Sequence, residues 1–502
     1  MIGKVYLVGA GPGDPGLITI KGLRCIKDAD VLIYHQSVSP RLLDYAAADC
    51  LMVPAGQAPG KDAMNAFDIN ANLVHYAKAG KTVTRLNAGD PFAFGRGSEE
   101  ALALAEEGIP CEVVPGVTAA AAAPAYAGIP LTDGTINSSV TIITGEEDPY
   151  MEKSKIPWEQ LVDINTLVFM MGLKNLEKIT LRLISAGKDP ETPVAVVQEG
   201  TTPEQKTVSG TLASITGMVR QAGIKHPAVT VIGHTANLRE QLRWVEDKPL
   251  FGKRILISRP VHQAAGFAEM IETLGGEPYI FPVIDIVKPS DSSPLDNAID
   301  KVEQFDWVVF TSVNGVNHFF RAMWEKKKDI RCLAEAKICA IGPKTAAAVE
   351  KKGLLVDYMP EEYVAEAVIE GMKDYGLKGM KVLLPRADIA RQVLPEKLME
   401  MGALVEEVTA YETVTGSGDP DKLLQLLSQG KLHVVTFTSS STVRNFLSKL
   451  PRQRADELLK DVIIACIGPI TAETARKMGL TVHIEAEEYT IDGLLAAILQ
   501  YI

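Results

Sequence analysis

The sequence predicts an α/β protein in two parts, and three observations predict it. Apolar runs of strand length alternate with helix-period segments along the chain, the pattern of layered α/β folds. Several of those runs stop at a glycine, as buried parallel strands do where they meet a ligand-binding turn. Three motifs of the second half recur at a nearly constant spacing, the mark of duplicated lobes.

The totals exclude several classes. The chain has 502 residues, 46% hydrophobic and 23% charged, with a net charge of −12. That composition belongs to soluble globular proteins of several domains. Residues 1–250 carry 22 Lys and Arg against 28 Asp and Glu, and the remainder 29 against 35. Both halves are thus equally acidic, and neither offers a basic face for nucleic acid. No apolar run approaches the ~20 residues of a membrane span, and the N-terminal segment lacks a charged-then-apolar signal pattern. Six scattered cysteines without a Cys-x-x-Cys pair fit a reducing cytoplasm and argue against structural zinc.

The first element is Val5-Tyr-Leu-Val-Gly-Ala-Gly-Pro-Gly-Asp-Pro15. The apolar residues read as a buried strand, and Gly9, Gly11 and Gly13 let the backbone approach a ligand closely. Ile18, Ile20, Leu23 and Ile26 are spaced for one helix face. Asp30-Val-Leu-Ile-Tyr34 then reads as the next strand, completing a βαβ opening. Two other readings compete here. A nicotinamide or flavin site needs Gly-x-Gly-x-x-Gly, but Asp14 stands in the place of the third glycine and Pro12 and Pro15 stiffen the turn. A purely structural turn is the other.

Arg85-Leu-Asn-Ala-Gly-Asp-Pro-Phe-Ala-Phe-Gly-Arg-Gly97 is a loop. Within it, Asp90 either accepts hydrogen bonds from a ligand or closes an Asx turn of its own. Val113-Val-Pro-Gly-Val-Thr-Ala119 is strand, turn and helix start; Thr118 caps that helix or faces a ligand, and Ala119 to Ala123 permit close packing. Asn165 to Gly172, Val194 to Gly200 and Pro227 to Gly233 are further buried strands ending at or near glycine.

Together these blocks resemble the tetrapyrrole methylase family, specifically uroporphyrinogen-III C-methyltransferases. The resemblance covers about residues 2–245 through GAGPGDP, GDPFxFGRG, VPGVTAA, APAYAGIPLT and the Met-Gly strand end. It implies two α/β lobes and S-adenosylmethionine held by Pro12, Ala88, Gly89, Asp90, Ala93, Thr118, Ala119, Met171 and Gly200. It also implies two methyl transfers to uroporphyrinogen III, giving precorrin-2, and a homodimer. The chain departs from the family where substrate chemistry is expected. Tyr-Asp-Arg-Leu reads Tyr34-His-Gln-Ser37, Val-Gly-Lys reads Ala55-Gly-Gln57, Pro-Leu-Thr-His-Arg reads Pro130-Leu-Thr-Asp-Gly134, and Thr-Gly-His-Glu-Asp reads Thr144-Gly-Glu-Glu-Asp148. A usual double glycine before Asp90 is Ala88-Gly89. His35, Gln57, Asp133 and Glu146 therefore occupy the altered positions. His35, which titrates near neutral pH, is the candidate replacement base.

Trp244 to Gly252 has the composition of a linker, and Arg254-Ile-Leu-Ile-Ser-Arg-Pro260 starts a new first strand. Ile257-Ser-Arg-Pro260 corresponds to Leu384-Pro-Arg-Ala387, and Phe310-Thr-Ser-Val-Asn-Gly-Val316 to Phe437-Thr-Ser-Ser-Ser-Thr-Val443, both 127 residues apart. Ile341-Gly-Pro-Lys-Thr-Ala346 corresponds to Ile467-Gly-Pro-Ile-Thr-Ala472 at 126. Each motif sets Ser, Thr or Arg after an apolar run, so hydroxyls and helix N-termini gather at strand ends, where anions bind. Ordinary helix capping by Thr345 and Thr471 is the competing reading.

In that order and spacing the motifs resemble uroporphyrinogen-III synthases over about residues 253–502. The resemblance implies cofactor-free cyclisation of hydroxymethylbilane, with inversion of ring D and loss of water. It points to Tyr411, in Ala-Tyr-Glu-Thr, as the residue that assists departure of the hydroxyl; a packing role for this tyrosine is the alternative. Candidate carboxylate binders are Arg259, Thr311, Ser312, Asn314, Thr345, Ser439 and Thr471. The expected parts are therefore a methylase domain at 1–245, a linker at 246–252 and a synthase domain at 253–502. Lobe one of the synthase takes 253–286 and 413–502, and lobe two 287–412. The product of the second half would be the substrate of the first, a bifunctional, metal-free enzyme on the way to sirohaem and cobalamin. The rival is a working synthase joined to a degenerate methylase kept for binding.

Overall fold

The computed structural model describes residues 2–55, 66–151, 154–362, 365–388, 390, 392–451 and 453–502. Gln57 lies outside the described residues. The chain divides into two compact units, one of Met1–Arg254 with Ile271–Glu277 and Ile502, the other of Ile255–Met270 and Pro278–Tyr501.

The first unit has two lobes. Strands β1 (Val5–Gly9), β2 (Val31–His35), β3 (Leu51–Ala55), β4 (Val83–Asn87) and β5 (Cys111–Val114) form a sheet in the order β3-β2-β4-β1-β5. Its neighbouring strands are all parallel. Along β1, Val5 and Leu7 enter one core while Val8 enters the core on the opposite face. Burial on both faces is why the run reads as continuously apolar. The helix after β1 spans Ile20–Lys27 and buries Gly22, Cys25 and Ile26, whereas Ile20 is 74% exposed. This corrects the expected face. A 3₁₀ turn at Pro15–Leu17 delays the helix, and Gly22 sets its rotation, since a Cβ there would lie 3.0 Å from Val8 Cγ1.

The second lobe holds β6 (Val140–Thr144), β7 (Thr166–Met170), β8 (Pro193–Gln198), β9 (Lys206–Thr211) and β10 (Ala228–Ile232), in the order β6-β7-β10-β8-β9. The last strand lies in the middle, antiparallel to both neighbours. The segment expected as a linker is packed instead. Glu246 accepts from Gln205 Nε2 at 2.9 Å and Thr207 Oγ1 at 2.8 Å, and Trp244 Nε1 donates to the Ala125 carbonyl at 2.9 Å.

The second unit has β11 (Arg254–Ile257), β12 (Glu277–Ile280), β13 (Ile284–Val287), β14 (Trp307–Phe310), β15 (Lys337–Ala340), β16 (Lys381–Ala387), β17 (Leu404–Thr415), β18 (Val434–Phe437), β19 (Ile463–Cys466) and β20 (Ile484–Glu485). They form two sheets, β12-β11-β18-β19-β20 and β13-β17-β16-β14-β15. The strands carrying the repeated motifs occupy equivalent positions, β11-β18-β19 in one sheet and β16-β14-β15 in the other. The copies are exchanged. Each sheet takes one motif strand from one copy and two from the other.

Candidate functional site

In the first unit three loops meet at glycines. Gly11 and Gly89 exchange backbone hydrogen bonds of 3.2 and 2.8 Å. A Cβ on Gly9 would lie 2.5 Å from Gly116 Cα and 2.6 Å from the Gly89 carbonyl oxygen. Only glycine permits that approach. Asp90 locks the node: its Oδ1 accepts from the backbone N–H of Phe92 (2.8 Å) and Ala93 (2.9 Å), and its Oδ2 from that of Gly116 (2.8 Å). The Asx-turn reading of Asp90 thus describes its side chain. Thr118 likewise caps the helix Ala119–Tyr126, accepting from Ala120 N–H at 3.3 Å.

Asp14, in the place of a dinucleotide fold's third glycine, has its own work. It accepts from Gly16 N–H at 2.7 Å and from the Tyr126 hydroxyl at 2.6 Å, tying the first loop to the alanine helix. Burial and the Asp14 charge push the Tyr126 phenol well above its ordinary pKa, so it stays a donor. Gly200 packs so tightly on that helix that a Cβ would lie 2.3 Å from Ala123 Cβ. This is what the small residues at 119–123 permit.

Around this seam lies a cavity of about 530 Å³, a size usual for small-ligand sites. Pro12, Ala119, Met171 and Gly200 line it, four of the nine residues expected at a cofactor. Ala88, Gly89, Asp90, Ala93 and Thr118 build the adjoining loops rather than this wall. Met171 (φ 55°) lines it in left-handed conformation, as does Glu199 (φ 47°), with Thr201 (φ 73°) close by in the chain. Backbone strain of this kind gathers at functional sites. Sequence reasoning missed Asn175, whose Nδ2 donates to the carbonyls of Gly145, Glu146 and Glu147 and fixes one edge of the cavity. The only trace is an asparagine three residues past the Met-Gly strand end.

The altered positions fall into different settings. His35 ends β2; its Nδ1 lies 2.5 Å from Ser37 Oγ and accepts from Ser37 N–H at 3.2 Å. Burial, then the positive charge of Arg85, lowers its pKa, so the ring is neutral at pH 7. Arg85 is buried and pairs with Glu100 at 3.0 Å. Asp133 turns on its own backbone, accepting from Thr135 N–H (3.0 Å), Thr135 Oγ1 (2.5 Å) and Ile136 N–H (3.2 Å). Glu146 lines the cavity.

In the second unit Tyr411 lies on β17, 8% exposed, its hydroxyl 3.0 Å from Ser312 Oγ and its ring 5.7 Å from that of His318. Ser312 caps the helix Val313–Glu325, and Thr311 precedes it. Arg259 Nη2 donates to Gln263 Oε1 at 2.9 Å, and Gln263 Nε2 donates to Asn314 Oδ1 at 3.4 Å, linking the two lobes. Gln263 escaped the sequence reading because it lies just past the Ile257–Pro260 motif, in the first turn of the helix Val261–Thr273. Burial alone pulls the Arg259 pKa down, with no carboxylate opposing it among the described residues. Thr345 and Thr471 do not cap: Gly342 and Gly468 hold the cap positions, and both threonines are buried in the first turn. Ser439 caps its helix in a reciprocal box with Thr442.

Among the described residues no cluster of metal-ligating side chains occurs, and no helix is long and apolar enough to cross a membrane. A family model described as tetrapyrrole (corrin/porphyrin) methylases matches residues 4–216, and one described as uroporphyrinogen-III synthase HemD matches residues 265–496. The chain is 36% identical over 499 residues to a porphyrin biosynthesis protein HemD of Ruminiclostridium josui, with 99% of this chain and 98% of that one covered. It is 42% identical over 356 residues to a uroporphyrinogen-III C-methyltransferase of Bacillus subtilis, covering 70% and 72%. It is 46% identical over 241 residues to an S-adenosyl-L-methionine-dependent uroporphyrinogen III methyltransferase of Methanosarcina barkeri, covering 48% and 94%. The chain thus belongs to the tetrapyrrole methylase family through its first half and to the uroporphyrinogen-III synthase family through its second, a bifunctional enzyme of tetrapyrrole biosynthesis.

Proposed function

We propose that the second unit cyclises hydroxymethylbilane to uroporphyrinogen III and that the first methylates this product twice, giving precorrin-2 for sirohaem or corrinoids. The observation that carries the reading is the cavity at Pro12, Ala119, Met171 and Gly200, where residues scattered over 188 positions converge. Pro12, Ala119, Met171 and Gly200 would hold S-adenosylmethionine, which would supply an electrophilic methyl group. The cavity walls would hold it out of water, and neutral His35, its Nδ1 released from Ser37, would take the proton that the pyrrole system gives up. In the second unit Arg259, Thr311 and Asn314 bind substrate carboxylates. Tyr411 donates its proton to the leaving hydroxyl as the C–O bond breaks with its electrons on oxygen. Water departs, the pyrrole carries the positive charge, and the phenolate regains a proton as the macrocycle closes. This step needs no cofactor. The protein works in the cytoplasm, as a homodimer through its methylase half.

Asp133 favours a second reading. Its carboxylate, closed on its own turn, gives an anionic substrate nothing to bind, and the first unit then only holds its ligands. Supplying fresh hydroxymethylbilane and S-adenosylmethionine to the whole protein separates the two. Dimethylated product is expected. Uroporphyrinogen III alone supports the second reading, and isomer I alone overturns the synthase.

A further inference from the structure

We propose that Ser312 fixes the direction of the Tyr411 hydrogen bond, turning the phenol proton away from the protein and towards the leaving hydroxyl. This rests on the reading of Tyr411 as the proton donor. Ser312 Oγ accepts from Gly315 N–H at 3.0 Å and lies 3.0 Å from Tyr411 Oη. The serine has one proton. The N-terminus of the 13-residue helix is positive, so that proton is placed best pointing away from it. The neighbour in that direction is the phenol oxygen. Accepting from Gly315 also polarises the serine O–H and strengthens it as a donor. Tyr411 therefore accepts from Ser312 and has its own proton for another partner. The same bond stabilises the phenolate that proton donation leaves behind.

The duplication provides an internal contrast. Ser439, the copy of Ser312, accepts from Thr442 N–H at 3.3 Å and lies 2.9 Å from Ser441 Oγ. The position 127 residues before Tyr411 is Ile284. Two equivalent serines cap two equivalent helices, and only Ser312 meets a phenol. Ser312 is thus a positioning residue rather than one of the carboxylate binders.

The test measures kcat and KM of the full-length protein for hydroxymethylbilane with four variants. Tyr411→Phe is expected to lower kcat about 100-fold, the range of general acid catalysis. Ser312→Thr keeps the donor and is expected to retain kcat. Ser312→Asp keeps the helix cap, since aspartate caps as well as serine, but has no proton to give at neutral pH. It is expected to lower kcat about 10-fold or more, the loss of one hydrogen bond's discrimination, while thermal stability holds. Adding Ser312→Asp to Tyr411→Phe is expected to cost nothing further in kcat. Multiplying losses in the double variant, or a change in KM alone for Ser312→Asp, would overturn the role of Ser312. Unchanged kcat in Tyr411→Phe would instead remove Tyr411 as the donor, and this inference with it.

Discussion

At the scale of residues, function turns on how ordinary side chains are placed. His35 is neutral at pH 7 because burial and Arg85 both disfavour its charged form. A base must be unprotonated, so methyl transfer is expected to hold steady from pH 7.5 down to the ordinary histidine value of about 6.5. It should fall only below that, as protons fill the lowered site. His35→Asn should reduce the rate by about 100-fold or more, with S-adenosylmethionine binding retained. A pH–rate profile checks this, and a midpoint above 6.5 would assign the base elsewhere. Residue roles were only partly legible in sequence. Gly9 announces close backbone approach, and a Cβ there would lie 2.5 Å from Gly116 Cα. Asp90 is ambiguous in sequence, since the same carboxylate can serve a ligand or an Asx turn. In the fold its oxygens accept from the backbone N–H groups of Phe92, Ala93 and Gly116.

At the scale of elements, packing against the alanine helix Ala119–Tyr126 shapes the cavity. Gly200→Ala would drive a Cβ to within 2.3 Å of Ala123 Cβ. Overpacking of that kind costs about 1–3 kcal/mol and should weaken S-adenosylmethionine binding measured by calorimetry. Synthase activity should be untouched. Asp419 caps the helix Pro420–Ser428, its Oδ1 accepting from Asp421 N–H at 2.9 Å and Lys422 N–H at 3.3 Å. Asp419→Ala should cost about 1 kcal/mol, seen as a lowered unfolding midpoint in urea. Element types followed from apolar periodicity, but phase and direction did not. Ile20 is solvent-facing because Gly22 dictates the helix rotation, and β10 is antiparallel because only the tertiary pairing sets strand direction. Strand direction leaves no mark in local sequence, and Gly22 marks the rotation only through its packing on Val8.

At the scale of the molecule, two compact units carry two chemistries. A ligand stabilises the fold that binds it, by about 2.7 kcal/mol at 100 times its dissociation constant. S-adenosylhomocysteine, the demethylated cofactor, is therefore expected to raise one thermal transition of the whole protein and leave another in place. Movement of every transition together would mean that the units unfold as one. The 127-residue repeat revealed the duplication but not its exchange, because sequence spacing records ancestry and strand pairing records the fold.

That exchange sets an order of birth. As the chain leaves the ribosome, the sheet β13-β17-β16-β14-β15 has its full complement once Thr415 has emerged. The other sheet contains β11, made some 160 residues earlier, which must wait for β18 at Val434–Phe437 to pair with it. During that interval β11 has an open edge and apolar faces, the state from which nascent chains aggregate. The lobe that begins first finishes last.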